Sequence, residues 1–269
     1  MMIMITKLYT EVYMKDVKLV KLVGDIRSVN IDEIRKLEVG VEIQSFPQNI
    51  LDGDYSYIIK ECKFKLRNFD NIISLHGSSF DLNPGSTDKK VLELTKYRYM
   101  QSINIAKEIG AKYVIFHSQI SPLISVDKIR KLKINNQILF WKEFLRKIDD
   151  LDITILLENE YEDSYDELLY IIKEVNSPKL KICLDTGHVL AYANKSLESW
   201  FLGLNDYIKY VHLHFNEGKN DSHTKPTNDQ LVKFKHIIEK VNIKPIISLE
   251  YNIEDAKEEI PRIREILDK

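Results

Sequence analysis

The sequence predicts an α/β protein folded as a single (β/α)8 TIM barrel, and three observations support this fold class. Apolar runs with the length of strands alternate with helix-like segments along nearly the whole chain, which indicates a parallel sheet with right-handed crossovers. Eight such runs can be distinguished, the number that closes into a barrel. The chain has 269 residues, 44% of them hydrophobic, and barrels of about 250 residues form single domains.

The predicted strands are short apolar runs bounded by polar or turn-forming residues. Pro47 ends the second strand and Pro245 precedes the last one. In chain order, the runs lie within Ile3 to Val12 and at 39–46, 72–76, 113–118, 153–159, 180–185, 210–215 and 246–250.

Helix-like segments occupy the connections between these runs. The clearest spans Asp88 to Ile109, where apolar residues recur at helical spacing and Gly110 is placed as the C-cap. Asp163 and Ser164 both have the chemistry of an N-cap for a helix that runs to about residue 175. Further helices are expected near 31–37, 55–66, 196–204 and 228–241 and from 254 onward, with one or two more in the long insert 120–152.

Composition and charge narrow the class of protein. Lys and Arg number 39 against 41 Asp and Glu, a net charge of −2, so no global positive field indicates nucleic-acid binding. A balanced total is compatible with a local basic face, so nucleic acid is disfavoured as a partner but left open. The nine glycines form neither a G-x-G-x-x-G nor a Walker A run, and a dinucleotide-binding fold is therefore not indicated.

The cysteines and the N-terminal residues bear on the cellular location. Cys62 and Cys183 lie far apart, and Cys183 falls within a predicted core strand, so we expect no disulfide, in keeping with a reducing cytosol. The first residues lack the basic region and cleavage site of a signal peptide. No window approaches the roughly 18 apolar residues of a spanning helix. We therefore expect a soluble, cytoplasmic protein with no membrane partner.

Six of the predicted strands end in a side chain that binds metal ions well. The clearest is the run LKICLDTGH, in which Asp185 ends an apolar strand and His188 follows three residues later. Catalytic residues of such barrels lie at the C-terminal ends of the strands, so the sequence predicts a mononuclear or polynuclear metal centre at one mouth of the barrel. The residues are His76, His117, Glu158, Asp185 with His188, His212 or His214, and Glu250.

Simpler interpretations stay open for several of these residues. Asp185 and His188 would also cap a helix after their strand, although an unpartnered carboxylate at the end of an apolar strand is costly. His76, His117 and His188 are suited to binding substrate at the rim instead of metal.

Alternative roles also stay open for two further pairs of residues. Asp221 and His223 lie in the loop GKNDSHTKP, where they would contact either metal or substrate. His212 and His214 point to the same side of their strand because side chains alternate, so the pattern does not fix which of them is the ligand.

These motifs resemble the xylose-isomerase-like TIM-barrel superfamily, which includes sugar and sugar-phosphate isomerases and epimerases as well as the endonuclease IV branch of abasic-site nucleases (AP endonuclease family 2). The resemblance extends from about Val39 to Tyr251, and it implies one such domain over residues 1–269. Its most specific pieces are HGSSFDLNPGS, the acid of LLENE, LDTGH and VHLHFNEGKNDSH.

The resemblance implies two alternative sets of metal ligands. Epimerase-like members hold one divalent cation with two glutamates, an aspartate and a histidine, and endonuclease-like members hold three zinc ions. The residues that match the single-cation set are Glu158, Asp185, His212 and Glu250. In the three-zinc arrangement these four hold one ion, His76, His117 and Glu158 hold another, and His188, Asp221 and His223 hold the third. His214 is then a neighbour of the ligands, not one of them.

The donor types fit either chemistry. Carboxylates with one imidazole suit Mn, Mg or Co, whereas a histidine-rich site favours Zn. In an isomerase or epimerase the cation would bind a substrate hydroxyl and carbonyl and stabilise an enediolate. Glu158 and Glu250, expected on opposite sides of the barrel, would be the catalytic residues that pass the proton. In a nuclease, a zinc-bound hydroxide would attack a phosphodiester.

The loops at the predicted mouth favour a sugar over DNA. Abasic-site nucleases need basic and intercalating residues there, but the loop SSFDLNPGSTD after His76 has no basic residue, SQISPLIS after His117 is uncharged, and VLAYANK after His188 has one lysine. We therefore expect an isomerase or epimerase that acts on a small sugar or sugar phosphate, with an endonuclease IV-like zinc phosphodiesterase as the alternative. Barrels of this kind often pair, so a homodimer is a further expectation, although no stretch of the sequence marks its interface.

Overall fold

The computed structural model describes residues 17–268, in which eight parallel strands close into a barrel. Each strand pairs with its neighbours in chain order, and the last strand pairs with the first. The predicted α/β barrel is therefore confirmed. The strands are β1 (Leu19–Val23), β2 (Gly40–Ile43), β3 (Ile73–His76), β4 (Tyr113–His117), β5 (Thr154–Glu158), β6 (Leu180–Asp185), β7 (Ile208–Leu213) and β8 (Ile246–Leu249).

Helices follow the strands and pack around the barrel, and the long insert forms one helix, α5. They are α1 (Ile31–Lys36), α2 (Gln48–Leu51), α3 (Ser56–Lys65), α4 (Lys89–Ile109), α5 (Asp127–Arg146), α6 (Asp166–Val175), α7 (Thr186–Tyr192), α8 (Leu197–Leu204), α9 (Asn228–Val241) and α10 (Ala256–Leu267). No helix within residues 17–268 combines the length and apolarity needed to cross a membrane.

The strand that closes the barrel is not the one that the sequence pattern indicated. The predicted run within Ile3 to Val12 lies outside the described residues, whereas β1 falls in a stretch for which neither a strand nor a helix was predicted. Val20 of β1 is level with Gly40 of β2 on one side and Ser248 of β8 on the other. Four of its five residues, LVKLV, are apolar, and its two neighbours in the barrel supply the pairing.

Two predicted helix ends can be compared with the structure. Gly110 ends α4 in the left-handed conformation, with φ of 76°, which confirms its assignment as the C-cap. The N-cap predicted for α6 is wrong, because the helix begins at Asp166 after Tyr165 and has no side-chain cap. The Ser164 hydroxyl lies 2.7 Å from the carboxylate of Asp166 and accepts from the backbone N–H of the same residue at 3.4 Å.

The hydrophobic core has two parts because alternate side chains of each strand point inward and outward. A large cluster lies between the strands and the helices. A smaller one fills the barrel, and Cys183 belongs to it. Both Cys62 and Cys183 are buried and free, in agreement with the expectation of no disulfide. The members of the inner cluster are Val20, Ile115, Leu156, Cys183, Tyr210 and Ile246.

Candidate metal centre

The predicted ligands meet at the C-terminal mouth of the barrel because their strands end there together. Four of them are the last residues of consecutive strands, namely β3 to β6. Glu250 directly follows β8, and His212 is the last residue but one of β7. The register sets His117 beside Glu158 and Asp185 beside His212. The four strand-end residues are His76, His117, Glu158 and Asp185.

Three carboxylates surround one imidazole at the floor of this mouth. The Nδ1 atom of His212 lies 2.8 Å from Oε1 of Glu158, 2.9 Å from Oε2 of Glu250 and 3.6 Å from Oδ2 of Asp185. One donor atom from each of these residues falls within 4.8 Å of the others, and all four side chains are buried. We call these four residues the carboxylate set. Its composition is that of a mostly oxygen-donor cation site.

Glu158 also belongs to a second set of possible ligands. Its Oε2 atom lies 3.4 Å from Nε2 of His76 and 3.5 Å from Nε2 of His117, and donor atoms of the three residues fall within 4.8 Å of one another. We call these three residues the histidine set. The two carboxylate oxygens of Glu158 therefore face different histidines, an arrangement that could bridge two ions.

Asp221 connects the remaining predicted ligands. Its Oδ2 atom lies 3.2 Å from Nε2 of His188 and 2.8 Å from Nε2 of His223. Asp185 and Asp221 raise the pKa of His188 to about 11 against the opposing effect of burial. The loop after β7 thus brings its acid and its histidine to the same mouth as the strand ends.

His214 lies behind the predicted ligands. Its Nε2 atom is 3.0 Å from Oδ2 of Asp185, and its ring stacks on His223 with 4.1 Å between centroids. The side chain is fully buried. Donor atoms of His214, His223 and Glu250 also fall within 4.8 Å of one another, a grouping that the sequence did not predict.

Backbone carbonyls orient three of the histidines. The Nδ1 atoms of His76, His188 and His223 lie 3.1, 2.8 and 2.9 Å from the carbonyl oxygens of Gly77, Asn159 and Glu250. A carbonyl oxygen only accepts, so each Nδ1 donates and each Nε2 is directed into the site. Such outer contacts fix the ring and the tautomer of ligand histidines.

Opposite charges perturb the pKa values of this cluster strongly. Burial by itself would raise the pKa of Glu158, but His212 and His117 outweigh it and hold this pKa well below its usual range. Burial likewise would lower the pKa of His76, yet Glu158 raises it to about 9. A cation bound here would compete with protons for the imidazoles, because histidine coordinates a metal in its neutral form.

The donor atoms left without partners fit a bound cation. Among the described residues, Oε2 of Glu158, Oε2 of Glu250 and Oδ1 of Asp221 are buried yet accept no hydrogen bond. Buried carboxylate oxygens are costly unless they are paired or coordinate a metal. Since the two glutamate oxygens belong to the sets defined above, the residues present fit a divalent metal centre.

A cavity of about 370 Å³ lies above the carboxylate set. Its wall includes the aromatic side chains of Phe80, Tyr161 and Tyr192, and Phe80 is 68% exposed. None of the described residues that line it is a lysine or an arginine. The mouth therefore offers aromatic surface, hydroxyl groups, imidazoles and carboxylates, but no side-chain cation of the kind that commonly binds phosphate.

Sequence reasoning missed three polar residues of the site. Glu42 of β2 and Gln44 just after it contact predicted ligands: Oε2 of Glu42 lies 3.1 Å from Nε2 of His212, and Nε2 of Gln44 donates to Glu250 at 3.3 Å. Oε1 of Glu160 lies 3.1 Å from Nδ1 of His117. Gln44 could have been found, because it follows an apolar strand as the predicted ligands do.

One geometric expectation is corrected. Glu158 and Glu250 are not on opposite sides of the barrel, because β5 and β8 are three strands apart in a ring of eight. Their carboxylates nonetheless reach the same small volume, with donor atoms within 4.8 Å of each other. They approach it from different strands.

Two relatives are similar in sequence to this chain over most of its length. An uncharacterized protein of Methanocaldococcus jannaschii is 28% identical over 211 residues, which cover 73% of this chain and 70% of that protein. A probable endonuclease 4 of Mycoplasmopsis pulmonis is 29% identical over 196 residues, which cover 65% of this chain and 66% of that protein.

The comparison with folds and family profiles agrees with the barrel described above. A solved structure of a D-tagatose 3-epimerase-like protein superposes with a TM-score of 0.73 at 23% identity, covering 93% of this chain and 98% of that one. The profile of the family described as xylose isomerase-like TIM barrels matches residues 39–268. The chain therefore belongs to the family of xylose isomerase-like TIM barrels.

Proposed function

We propose that this protein is a divalent-metal-dependent isomerase or epimerase of a small, unphosphorylated sugar. The observation that carries the proposal is the carboxylate set, in which two glutamates reach one buried volume together with an aspartate and a histidine. The solved D-tagatose 3-epimerase-like structure shares the fold, which is compatible with this activity. The set lies at the floor of a cavity large enough for a monosaccharide.

The residues of the carboxylate set have separate roles in a proton transfer. A divalent cation held by Glu158, Asp185, His212 and Glu250 would polarise a substrate carbonyl and the neighbouring hydroxyl. One glutamate removes the proton from the carbon next to the carbonyl, and the other returns a proton from its own direction. Imidazole Nε2 atoms at the rim, such as that of His188, would bind substrate hydroxyls.

The cavity wall supports an uncharged substrate. A phosphate group is commonly bound by arginine, lysine or a helix N-terminus, but no described lining residue is Lys or Arg. The four lining carboxylates, those of Glu158, Glu160, Asp221 and Glu250, offer an anion no hydrogen-bond donor when they are ionised. Phe80, Tyr161 and Tyr192 offer apolar faces against which the C–H groups of a sugar ring can pack.

The identity of the metal depends on how many ions the site binds. The carboxylate set alone, rich in oxygen donors, favours Mn, Mg or Co, whereas occupation of the histidine set as well favours Zn. Metal content per chain, measured on protein purified without a metal-affinity tag, separates these cases.

A second candidate is a zinc phosphodiesterase of the endonuclease IV type. The specific observation in its favour is that the histidine set and the Asp221 contacts stand beside the carboxylate set, which matches the three-zinc arrangement. The relative described as a probable endonuclease 4 points the same way. The lack of lysine or arginine among the described lining residues weighs against a polyanionic substrate.

The test is exchange of a carbon-bound proton with solvent. Free ketoses are incubated in D2O with protein loaded with Mn2+ or Co2+, and deuterium incorporation is followed by NMR. We expect incorporation that a chelator abolishes, with the corresponding sugar phosphates poorer substrates. Absence of exchange, together with chelator-sensitive cleavage of a duplex that carries one abasic site, would replace the first candidate by the second.

A further inference from the structure

Glu42 is a buried carboxylate whose position the proposed reaction does not explain. It lies on β2, inside the barrel and fully shielded from solvent. Its Oε2 atom is 3.1 Å from Nε2 of His212 on β7, a strand with which β2 does not pair. The contact therefore crosses the barrel interior directly beneath the carboxylate set.

One hydroxyl group holds Glu42 in place, and a second hydroxyl lies beside the first. The hydroxyl of Tyr210 donates to Oε2 of Glu42 at 2.9 Å, and the Ser74 hydroxyl lies 2.9 Å from that of Tyr210. The Ser74 hydroxyl also donates to the carbonyl oxygen of Val41 at 3.3 Å. All three side chains are fully buried. The carboxylate thus has a fixed orientation toward His212.

His212 differs from His76, His188 and His223 in the way its ring is oriented. His76, His188 and His223 place Nδ1 on a backbone carbonyl and direct Nε2 into the site. His212 is reversed, with Nδ1 facing the carboxylates of Glu158 and Glu250 and Nε2 facing Glu42. Its orientation depends on a side chain, not on the backbone.

We infer that Glu42 is a positioning residue, which accepts the Nε2 proton of His212 and so presents the Nδ1 lone pair to a divalent cation. This inference rests on the proposed metal-dependent function, but it applies equally to an isomerase and to a zinc phosphodiesterase. A carboxylate behind a ligand imidazole fixes the ring and raises its basicity, and removal of such a partner typically weakens metal binding by about 10- to 100-fold. A purely structural role would not require a buried charge, since apolar replacements of buried ionic groups are often neutral or stabilising.

The first test is metal affinity. Co2+ and Zn2+ binding is measured by competition with a chromogenic chelator for the wild type, Glu42→Gln, Glu42→Leu and a control, Glu259→Gln. We expect affinity to fall by about 10- to 100-fold in Glu42→Gln and at least as far in Glu42→Leu. Glu259 is also a buried, hydrogen-bonded carboxylate, but none of its partners is a proposed ligand, so its variant should bind both ions like the wild type.

The second test reads the His212 ring directly and needs no variant of Glu42. The wild-type protein, labelled with 15N in its histidine rings and loaded with zinc, is examined by NMR. The signals of the His212 ring are identified by their absence from the spectrum of His212→Gln. We expect zinc on Nδ1 and a slowly exchanging proton on Nε2, shifted downfield by its carboxylate acceptor.

The outcomes separate the inference from the proposed function. If the wild type binds neither ion, the proposed function fails and the inference falls with it. If the wild type binds tightly but both Glu42 variants match it, or if the Nε2 atom of His212 is the coordinating one, the inference alone is overturned. Should the Glu42 variants not fold, the NMR result on the wild type decides.

Discussion

Glu250 is held at one carboxylate oxygen by Gln44 and directs the other toward His212. Its Oε1 atom accepts from Gln44 at 3.3 Å, while the buried Oε2 lies 2.9 Å from Nδ1 of His212. Glu250→Gln keeps the size of the side chain but removes its basicity. We expect solvent exchange of the substrate proton to fall by about 10²- to 10⁴-fold, with an unchanged circular dichroism spectrum. Exchange at the wild-type rate would remove Glu250 from the mechanism.

His76 provides a test of the histidine set. Its Nε2 atom faces Glu158, so His76→Ala removes one donor of that set and leaves the carboxylate set intact. We expect zinc-saturated His76→Ala to retain less zinc per chain after gel filtration than the wild type. His236→Ala is the matched control, because the side chain of His236 is 70% exposed on α9. Equal zinc content in both variants would show that the histidine set holds no ion.

The predicted ligands could be read from the sequence because each lies at the end of a local apolar run, and strand ends converge in a barrel. Glu42 could not be identified in the same way. It is 170 residues from His212, and the two side chains meet only because closure of the sheet brings the inner faces of β2 and β7 together. Glu160, two residues beyond Glu158, has no periodic signal at all.

Helix α7 depends on a glycine at its second residue. A Cβ atom on Gly187 would lie 1.9 Å from Cε1 of His214, and His214 is already fixed by Asp185 and by stacking on His223. Gly187→Ala therefore has to displace His214 or the start of α7. We expect a loss of about 1–3 kcal/mol in the free energy of unfolding together with weaker Co2+ binding, measured by urea denaturation and by chelator competition.

Gly110→Ala is the control for this substitution. Gly110 ends α4 with φ of 76°, so alanine there should cost about 1 kcal/mol through backbone strain. Because Gly110 lies at the far end of α4 from the mouth, metal affinity should not change. A Gly187→Ala variant that loses stability but binds Co2+ normally would show that His214 has no part in shaping the site.

The pattern of apolar residues in the sequence predicted some helices and strands well and others not at all. The prediction of a helix at 228–241 matches α9 in full, since this segment has both a capping box and helical apolar spacing. The prediction failed at β1, although four of its five residues are apolar. A strand that short takes its stability from partners on both sides, and those partners lie far away in the sequence.

Glu259 of α10 joins separate parts of the chain near the mouth. It accepts from the hydroxyl of Tyr251 at 2.7 Å and is paired with Arg262 and Lys225 at 2.6 and 2.5 Å. Burial by itself would raise the pKa of Glu259, but these three partners outweigh it and lower the pKa to about 2. The folded state therefore favours the ionised form.

This pKa gives a pH dependence with a definite sign. Because the folded pKa lies below the unfolded one, the stabilisation is complete above about pH 4.5 and is lost as the pH falls toward 2. We expect the free energy of unfolding of Glu259→Gln to be about 1.5–3 kcal/mol lower than that of the wild type at pH 7. In urea titrations this difference should shrink below pH 5. A difference that stays constant from pH 7 to pH 4 would contradict this account.

A cation bound at the mouth would stabilise the whole barrel, because its proposed ligands come from strands β5 to β8. At an ion concentration of one hundred times Kd, binding to the folded state alone contributes about 2.7 kcal/mol. We therefore expect chelator treatment to lower the melting temperature of the wild type by several degrees, and re-addition of Co2+ or Zn2+ to restore it. A melting temperature that is insensitive to both treatments would contradict the presence of a metal centre.

The backbone carbonyls that orient His76, His188 and His223 have a consequence for how this site can change over generations. A carbonyl oxygen is present whatever residue a codon specifies, so mutation of a neighbouring side chain cannot delete these acceptors. His212 has no such protection, because its outer partner, Glu42, can be lost in a single nucleotide change. Inheritance of the centre is thus robust at these three imidazoles and fragile at His212 and at His117, whose Nδ1 atom faces the side chain of Glu160.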